Sequence, residues 1–206
     1  PTVYVVNGGG NYCSGGAGVS VGLSGSTSGE MYQLMNGGSF VGGPVTGTGA
    51  AIDFGMQTTA GTYTVVATNT TTGCSNTMTG SVVVGVLPLP VLFTVTGGGN
   101  YCTGGAGVTI GLTGSTTGTM YQLRNGLANV GAPLPGTGSA LSFGLQTAAG
   151  TYTVVATSTS TTCTNTMTGT VTITLDPLPT VYAVMGGGNY CSGGTGVNVG
   201  LISSDI

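Results

Sequence analysis

The sequence of this chain repeats itself with a period of 89 residues. The phrase GGGNYCSGGAGV at 8–19 returns as GGGNYCTGGAGV at 97–108 and as GGGNYCSGGTGV at 186–197. A period of that length is too long for one turn of a solenoid and matches one complete small domain. We therefore expect a string of similar domains joined end to end.

The cysteines follow the same period. Cys13, Cys102 and Cys191 are spaced by 89 positions, and so are Cys74 and Cys163. The spacing places one repeat at 1–89, a second at 90–178, and the N-terminal part of a third at 179–206. The partial repeat is too short to fold alone, so we expect it to be completed by further residues or held by a neighbouring molecule.

Within each repeat, apolar residues alternate with small or polar ones, which is the pattern of half-buried β-strands. Val19, Val21 and Leu23 share one face of such a strand, and helical spacing is absent. Strands are predicted at 2–6, 18–26, 31–37, 39–45, 50–56, 62–69 and 77–86. About seven short strands per 89-residue repeat predict an all-β fold of tandem immunoglobulin-like antiparallel β-sandwiches.

Two tyrosines refine that expectation. Tyr63 and Tyr152 occur in the phrase AGTYTVVAT, at the place where immunoglobulin-like domains carry a tyrosine that bonds back to the backbone. Two residues later, Val65 and Val154 take the place of the usual core cysteine. The core is therefore expected to be held by aliphatic packing instead of a disulfide.

Paired prolines mark the connections between repeats. Pro88 and Pro90 lie at the first boundary, and Pro177 and Pro179 lie at the second. Proline fixes the backbone angle φ and stiffens a short linker. We expect the repeats to form a fairly straight rod.

The charge inventory excludes most enzymes and nucleic-acid-binding proteins. The chain has no histidine and no lysine, and Arg124 is its one cation. General acid–base catalysis and phosphate binding both need groups that this composition lacks. The four acids, which do not recur between repeats, are expected to be solvated surface residues and not calcium ligands: Glu30, Asp53, Asp176 and Asp205. The sequence thus predicts no enzyme, no cofactor and no nucleic-acid partner.

The high apolar content does not indicate membrane insertion. The most apolar stretch, residues 82–95, is shorter than a spanning helix and contains Pro88 and Pro90. We expect neither a transmembrane segment nor a signal peptide within these residues.

The glycine-cysteine segment lacks the groups for three familiar kinds of site. A phosphate loop needs a following helix and usually a lysine. Zinc needs four close ligands, and a catalytic thiolate needs a base or a cationic neighbour. None of these patterns is present, so no metal or catalytic residue is predicted. Paired cysteines are instead typical of a disulfide framework, with the candidates Cys13, Cys74, Cys102, Cys163 and Cys191.

Topology favours one pairing among these cysteines. Five predicted strands separate Cys13 from Cys74, and an odd number of traverses places them at opposite ends of a sandwich, roughly 25 Å apart. The end with Cys13 is also where the chain leaves for the next repeat, whose last turn carries Cys163. We therefore favour Cys13 with Cys163, with pairing inside one repeat left as the alternative. The glycines are then expected to let the segment approach the neighbouring repeat closely and to adopt positive φ angles where these are needed.

The phrases NYCSGGAGVSVGLSGS, TAAGTYTVVATST and the closing PLPT resemble the tandem immunoglobulin-like or PKD-like repeats of very large secreted surface proteins of Bacteroidota. Many of those proteins are exported by type IX secretion, including SprB-like gliding-motility adhesins. The resemblance covers the whole chain. It implies an extracellular, surface-attached array that serves adhesion, gliding or filament formation.

Two functions follow from these observations. The first is a non-catalytic structural module of an adhesin stalk or filament, whose partners are neighbouring repeats of the same chain or identical chains. Lateral pairing of chains is suggested by edge strands with few charges to block it. The second is a carbohydrate-binding module for surface glycans, with weak repeated sites around Tyr12, Tyr101 and Tyr190.

Overall fold

The computed structural model describes residues 1–204, and Asp205 and Ile206 lie outside the described residues. The first repeat contains β1 (Val6–Gly8), β2 (Gly10–Cys13), β3 (Val19–Leu23), β4 (Glu30–Asn36), β5 (Ser39–Thr46), β6 (Ile52–Gln57), β7 (Gly61–Asn69), β8 (Ser75–Thr77) and β9 (Val82–Leu87). The second contains β10 (Val95–Gly97), β11 (Gly99–Cys102), β12 (Val108–Leu112), β13 (Thr119–Asn125), β14 (Ala128–Pro135), β15 (Leu141–Gln146), β16 (Gly150–Ser158), β17 (Thr164–Thr166) and β18 (Val171–Asp176). A hairpin of β19 (Val184–Gly186) and β20 (Val199–Leu201) follows. Within residues 1–204, no helix has the length and apolar character needed to cross a bilayer.

Each repeat consists of two facing sheets. The smaller sheet has the order β1-β3-β6, and the larger has the order β2-β9-β7-β4-β5, with β8 paired to β7. The second repeat has the same two orders, from β10 to β18. In immunoglobulin terms, strands A, B and E face strands A′, G, F, C and C′. The chain is therefore all-β, with two immunoglobulin-like sandwich domains, as the sequence predicts.

The core follows directly from the alternation along the strands. On β7, Tyr63, Val65 and Ala67 are fully buried, whereas the residues between them are partly exposed. Val154 of the second repeat is also fully buried, so aliphatic side chains do occupy the place of the usual core cysteines. The other buried apolar side chains of the first core are Val6, Val21, Leu23, Tyr32, Leu34, Ile52, Met78 and Val84.

The two ends of each repeat differ from the sequence prediction. The sequence predicts the first strand at 2–6, but pairing with β3 begins at Val6. The segment that the sequence predicts to be a glycine-rich loop forms a second strand, β2. The last strand was expected to run unbroken over 77–86, but residues 78–81 separate β8 from β9. Contact with β7 continues to Met78, whose amide donates to the Val65 carbonyl at 2.8 Å. The break follows because Thr79 bonds to the chain entering β1 instead: its amide donates to the Tyr4 carbonyl, and its carbonyl accepts from the Val6 amide, both at 2.9 Å. Each repeat thus has nine strands instead of seven.

The outer edge of the larger sheet is poorly suited to pairing with another sheet. Pro44 lies in β5 and cannot donate a ladder hydrogen bond, and the register between β4 and β5 shifts between Tyr32 and Leu34. The Gln33 amide nitrogen bridges this irregularity by donating to the Leu34 and Val41 carbonyls at 2.9 and 3.0 Å. Proline and a bulge protect the edge without charged side chains.

The third segment presents the same hairpin without its covering sheet. Val184 and Val199 are 72% and 68% exposed, whereas their equivalents in the first repeat, Val6 and Val21, are 5% and 0% exposed. In the first repeat, those two valines lie in the core that β4 and β7 help to form. No described residue supplies that sheet to the hairpin.

Candidate functional site

The glycine triplet moves the chain from one sheet to the other. Gly8 and Gly9 have φ angles of +89° and +70°, which side chains rarely adopt. A Cβ atom on Gly8 would lie 2.3 Å from the Ser20 carbonyl oxygen, and one on Gly9 would lie 2.8 Å from the Val83 carbonyl oxygen. These close contacts are all within one repeat. The expectation that the glycines adopt positive φ is therefore confirmed. The expectation that they serve approach to the neighbouring repeat is wrong for Gly8 and Gly9, which let strand A switch sheets within its own repeat.

After the switch, β2 runs parallel to β9 and ends beside it. Cys13 is in register with Leu87, the last residue of β9, and the amide of Ser14 donates to the Leu87 carbonyl at 2.8 Å. The cysteine thus lies where the repeat ends and the linker begins. The sequence indicated this end of the sandwich, but not the parallel pairing that holds the cysteine there.

The partner cysteine is held by the turn between β16 and β17. The amide of Ser158 donates to the Cys163 carbonyl at 2.9 Å, and that of Thr162 donates to the Ser158 carbonyl at 3.0 Å. Thr162 has a φ of +60°, an uncommon value for a residue with a side chain. Cys163 is 1% exposed, whereas Cys74 in the equivalent turn of the first repeat is exposed.

These two cysteines are joined. The Cys13–Cys163 disulfide has a Cα–Cα distance of 5.6 Å and closes a sequence separation of 150 residues. This is the inter-repeat pair that the topology of the strands favours, and the alternative of pairing Cys13 with Cys74 is not what the structure shows. The first repeat is therefore connected to the second twice, once by the linker and once by the disulfide.

The linker lies against the second repeat. A hollow of about 390 Å³ is lined by residues 88–91, by the loop at 116–119 and by the turn at 158–161. Pro90 is buried there and Pro88 is exposed, and the side-chain amide of Asn165 donates to the Pro90 carbonyl at 2.9 Å. At the second boundary, Pro177 and Pro179 are both exposed.

The unpaired cysteines are positioned by the same local bonds as the paired ones. Cys102 is in register with Asp176 at the end of β18, and the Thr103 amide donates to the Asp176 carbonyl at 2.9 Å. The Asn69 amide donates to the Cys74 carbonyl at 2.9 Å, as Ser158 does to Cys163. Within residues 1–204, the cysteines outside the disulfide are exposed and unbonded: Cys74, Cys102 and Cys191. Cys102 thus takes the place of Cys13 in its repeat, and Cys74 takes the place of Cys163.

The two predicted corner tyrosines bond to the backbone. The Tyr63 hydroxyl donates to the Thr59 carbonyl at 2.8 Å, and the Tyr152 hydroxyl donates to the Ala148 carbonyl at 2.7 Å. Each acceptor lies four residues upstream, as in a tyrosine corner. Burial is the main factor that raises the pKa of the Tyr152 hydroxyl above its ordinary value.

The tyrosines of the glycine-cysteine segments are less available than the carbohydrate hypothesis requires. The rings of Tyr12 and Tyr101 pack against the two cores, and their hydroxyls donate to the Thr58 and Thr147 carbonyls. Tyr190 of the third segment is 63% exposed. The two rings in complete repeats therefore brace β2 and β11 against their sandwiches and do not project as platforms for sugars.

The acids do not form a site among the described residues. Glu30, expected at the surface, is 4% exposed and accepts a hydrogen bond from the Tyr32 hydroxyl at 2.7 Å, so that expectation is wrong. Burial, followed by this bond, raises the pKa of Tyr32. Asp53 is exposed, and the bond from the Ser20 hydroxyl at 2.6 Å, with a second from the Gly55 amide, lowers its pKa. No group of three or more potential metal ligands occurs within residues 1–204.

No protein-family model matches the sequence, and no curated protein matches it. Among solved structures, the chain is similar to the fibronectin(III)-like modules of CbhA from Clostridium thermocellum, at 12% identity and a TM-score of 0.39, over 85% of this chain and 95% of that one. It is also similar to murine CEACAM1b, at 12% identity and a TM-score of 0.35, over 81% and 96%. A third is SGBP-B of the Bacteroides ovatus mixed-linkage glucan utilization locus, at 15% identity and a TM-score of 0.26, over 84% and 45%. Similarity at this level carries no functional argument, and the assignment of the fold rests on the sheet order and the cores.

Proposed function

We propose that this chain is a structural repeat module of an extracellular surface array, such as an adhesin stalk, and has no catalytic role. The observation that carries the proposal is the Cys13–Cys163 disulfide, which joins one repeat to the next beside a proline-containing linker. Two connections across one junction oppose bending and twisting more than a single linker can. In this proposal the repeats are 1–89, 90–178 and the beginning of a third at 179–206, and every junction is closed in the same way.

An extracellular location agrees with the chemistry of the junction. Structural disulfides persist in oxidising compartments and are rare in the cytosol. The resemblance of the repeated phrases to surface proteins of Bacteroidota supports the same location, and it suggests type IX secretion and a role in adhesion or gliding.

A single-chain array is better supported than a filament of laterally paired chains. Lateral pairing would need an open strand edge. The smaller sheet ends at β6, which contains no proline, but the outer edge of β5 in the larger sheet carries Pro44 and the adjoining bulge. The equivalent strand β14 contains Pro133 and Pro135. In contrast, the bonded cysteines join successive repeats along one chain. No comparable observation favours the carbohydrate-binding alternative, because Tyr12 and Tyr101 are packed against the cores.

The proposal is tested on intact cells of the source organism. Antibodies raised against the folded chain should label unpermeabilised cells, and peptide mapping of the non-reduced native protein should recover the Cys13–Cys163 linkage. Antibodies against a cytosolic protein serve as the control for cell integrity. Labelling that appears only after permeabilisation, or cysteines that are all reduced in the native protein, would refute an extracellular structural role.

A further inference from the structure

The disulfide changes which part of the chain can transmit a pulling force. A force applied at the two ends follows the shortest covalent path, and that path enters the Cys13–Cys163 bond at one cysteine and leaves it at the other. The residues between the two cysteines form a closed side loop. This loop contains every strand from β3 to β16, and so most of both sandwich cores.

We propose that the Cys13–Cys163 disulfide is a mechanical bypass, which carries tension past the two sandwiches so that their unfolding cannot lengthen the chain. The bypassed separation is 150 residues, equivalent to about 500 Å of extended chain. Subtracting 150 from the chain length of 206 leaves 56 residues under tension, or about 190 Å when fully extended.

The strands left in the force path lie at the ends of the loop. They are β1 and β2 before Cys13, and β17 and β18 after Cys163, followed by the third segment. β2 and β18 are held by pairing with β9 and β16, which lie inside the loop. Tension therefore acts first on these terminal strands, while the central strands β4, β7, β13 and β16 are not pulled along their backbone.

In an array, which rests on the proposed function, successive bonds would shorten the path further. Cys191 is the equivalent of Cys13 in the third repeat, and it lies 28 positions after Cys163. A force would then cross two repeats through one disulfide and 28 residues, or roughly 95 Å of extended chain. One sandwich is about 30 Å long, judged from the nine residues of β7. Two repeats could therefore lengthen from about 60 Å to roughly 100 Å before a covalent bond had to break, whereas their 178 residues would reach about 600 Å without the disulfide.

Single-molecule force spectroscopy tests the bypass on the full chain, with handles at residues 1 and 206. Without reductant, we expect total extension to stop near 190 Å. With reductant, the same molecules should gain a further length of about 500 Å. The variant Cys13→Ser should show the long extension without reductant. The variant Cys74→Ser, which removes an unbonded cysteine, should behave like the unmodified chain.

Alkylation and mass measurement before pulling establish that two cysteines are bonded in the sample. Extension of such oxidised molecules to the full length of the chain would overturn the proposal. A hidden length near 200 Å would also overturn it, because that is the length closed by a bond within one repeat, such as Cys13 with Cys74. Extension of the oxidised molecules to full length would overturn the bypass alone. A hidden length of about 200 Å would also remove the inter-repeat bond that carries the proposed function, and neither result affects the antibody test of surface location.

Discussion

Replacing Cys13 with serine should lower the free energy of unfolding by about 4–5 kcal/mol. The bond closes a separation of 150 residues, and a loop of that length removes conformational entropy from the unfolded chain worth about 5 kcal/mol at 25 °C. If the first repeat unfolds while the second stays folded, the closed loop shortens to roughly 80 residues. The stabilisation is then about 4.5 kcal/mol. Removal of the disulfide should therefore lower the free energy of unfolding by a similar amount whether both repeats unfold or the first repeat unfolds alone.

Urea denaturation without reductant, followed by circular dichroism, measures this loss. Cys74→Ser is the matched control, since its thiol is exposed and unbonded, and it should stay within about 0.5 kcal/mol of the unmodified chain. A loss below about 1 kcal/mol for Cys13→Ser would refute the idea that the disulfide restricts the unfolded chain. Equal losses in both variants would show that Cys74 takes part in the bonding.

Three further predictions concern single side chains. Gly8→Ala should lower the free energy of unfolding by at least about 2 kcal/mol, because the new Cβ atom would meet the Ser20 carbonyl oxygen. Gly15→Ala has a similar φ but no described atom within 4 Å, so it should cost about 1 kcal/mol. Equal losses of stability for the two variants in urea denaturation would contradict the steric argument. Tyr63→Phe should cost about 1–2 kcal/mol, because the Thr59 carbonyl loses its buried donor, and an unchanged urea midpoint would count against the corner. NMR titration should place the pKa of Asp53 below its ordinary value of 3.8, with Ser20→Ala raising it. Because the pKa of Asp53 is lower in the folded chain, its stabilisation is complete above the pKa of the unfolded chain and is lost as the pH falls through the pKa of the folded chain. A measured pKa at or above 3.8 would contradict the hydrogen bonds from Ser20 and Gly55.

The sequence predicted the parts of the fold that depend on local alternation. The strands from β3 to β7 were located to within a few residues, because apolar side chains there alternate and glycine or threonine clusters separate them. The ends of the repeat could not be found in this way. Three consecutive glycines indicate a loop, and only non-local pairing with β9 shows that Gly10–Cys13 is a strand. Glu30 was missed for a similar reason, since its burial depends on Tyr32 and the surrounding turn.

The disulfide could be predicted from the sequence because the prediction depends on whether the number of intervening strands is odd or even, and not on where each strand begins and ends. Five strands, β3 to β7, separate Cys13 from Cys74, so the two cysteines lie at opposite ends of the sandwich whatever the length of each strand. The sequence predicts the positive φ angles of the glycines correctly but assigns their close contacts to the wrong repeat, because those contacts depend on atomic distances. A Cβ atom on Gly8 would meet Ser20 of its own repeat, and no pattern in the sequence reports that distance.

The pairing also implies an order of events in folding. Cys74 and Cys102 both precede Cys163 in the sequence, so two competing thiols are nearer to Cys13 than its partner at a separation of 150 residues. Loop closure alone would favour the nearer partners. A folded first repeat removes the competition from Cys74, because its sandwich holds Cys74 at the far end and β9 fixes Cys13 beside the linker. A folded second repeat removes the competition from Cys102, because pairing of β11 with β18 holds Cys102 beside Asp176 at the end of that repeat. Of the thiols in the two repeats, folding therefore leaves Cys163, in the β16–β17 turn, beside Cys13, and we expect folding of both repeats to direct the native bond.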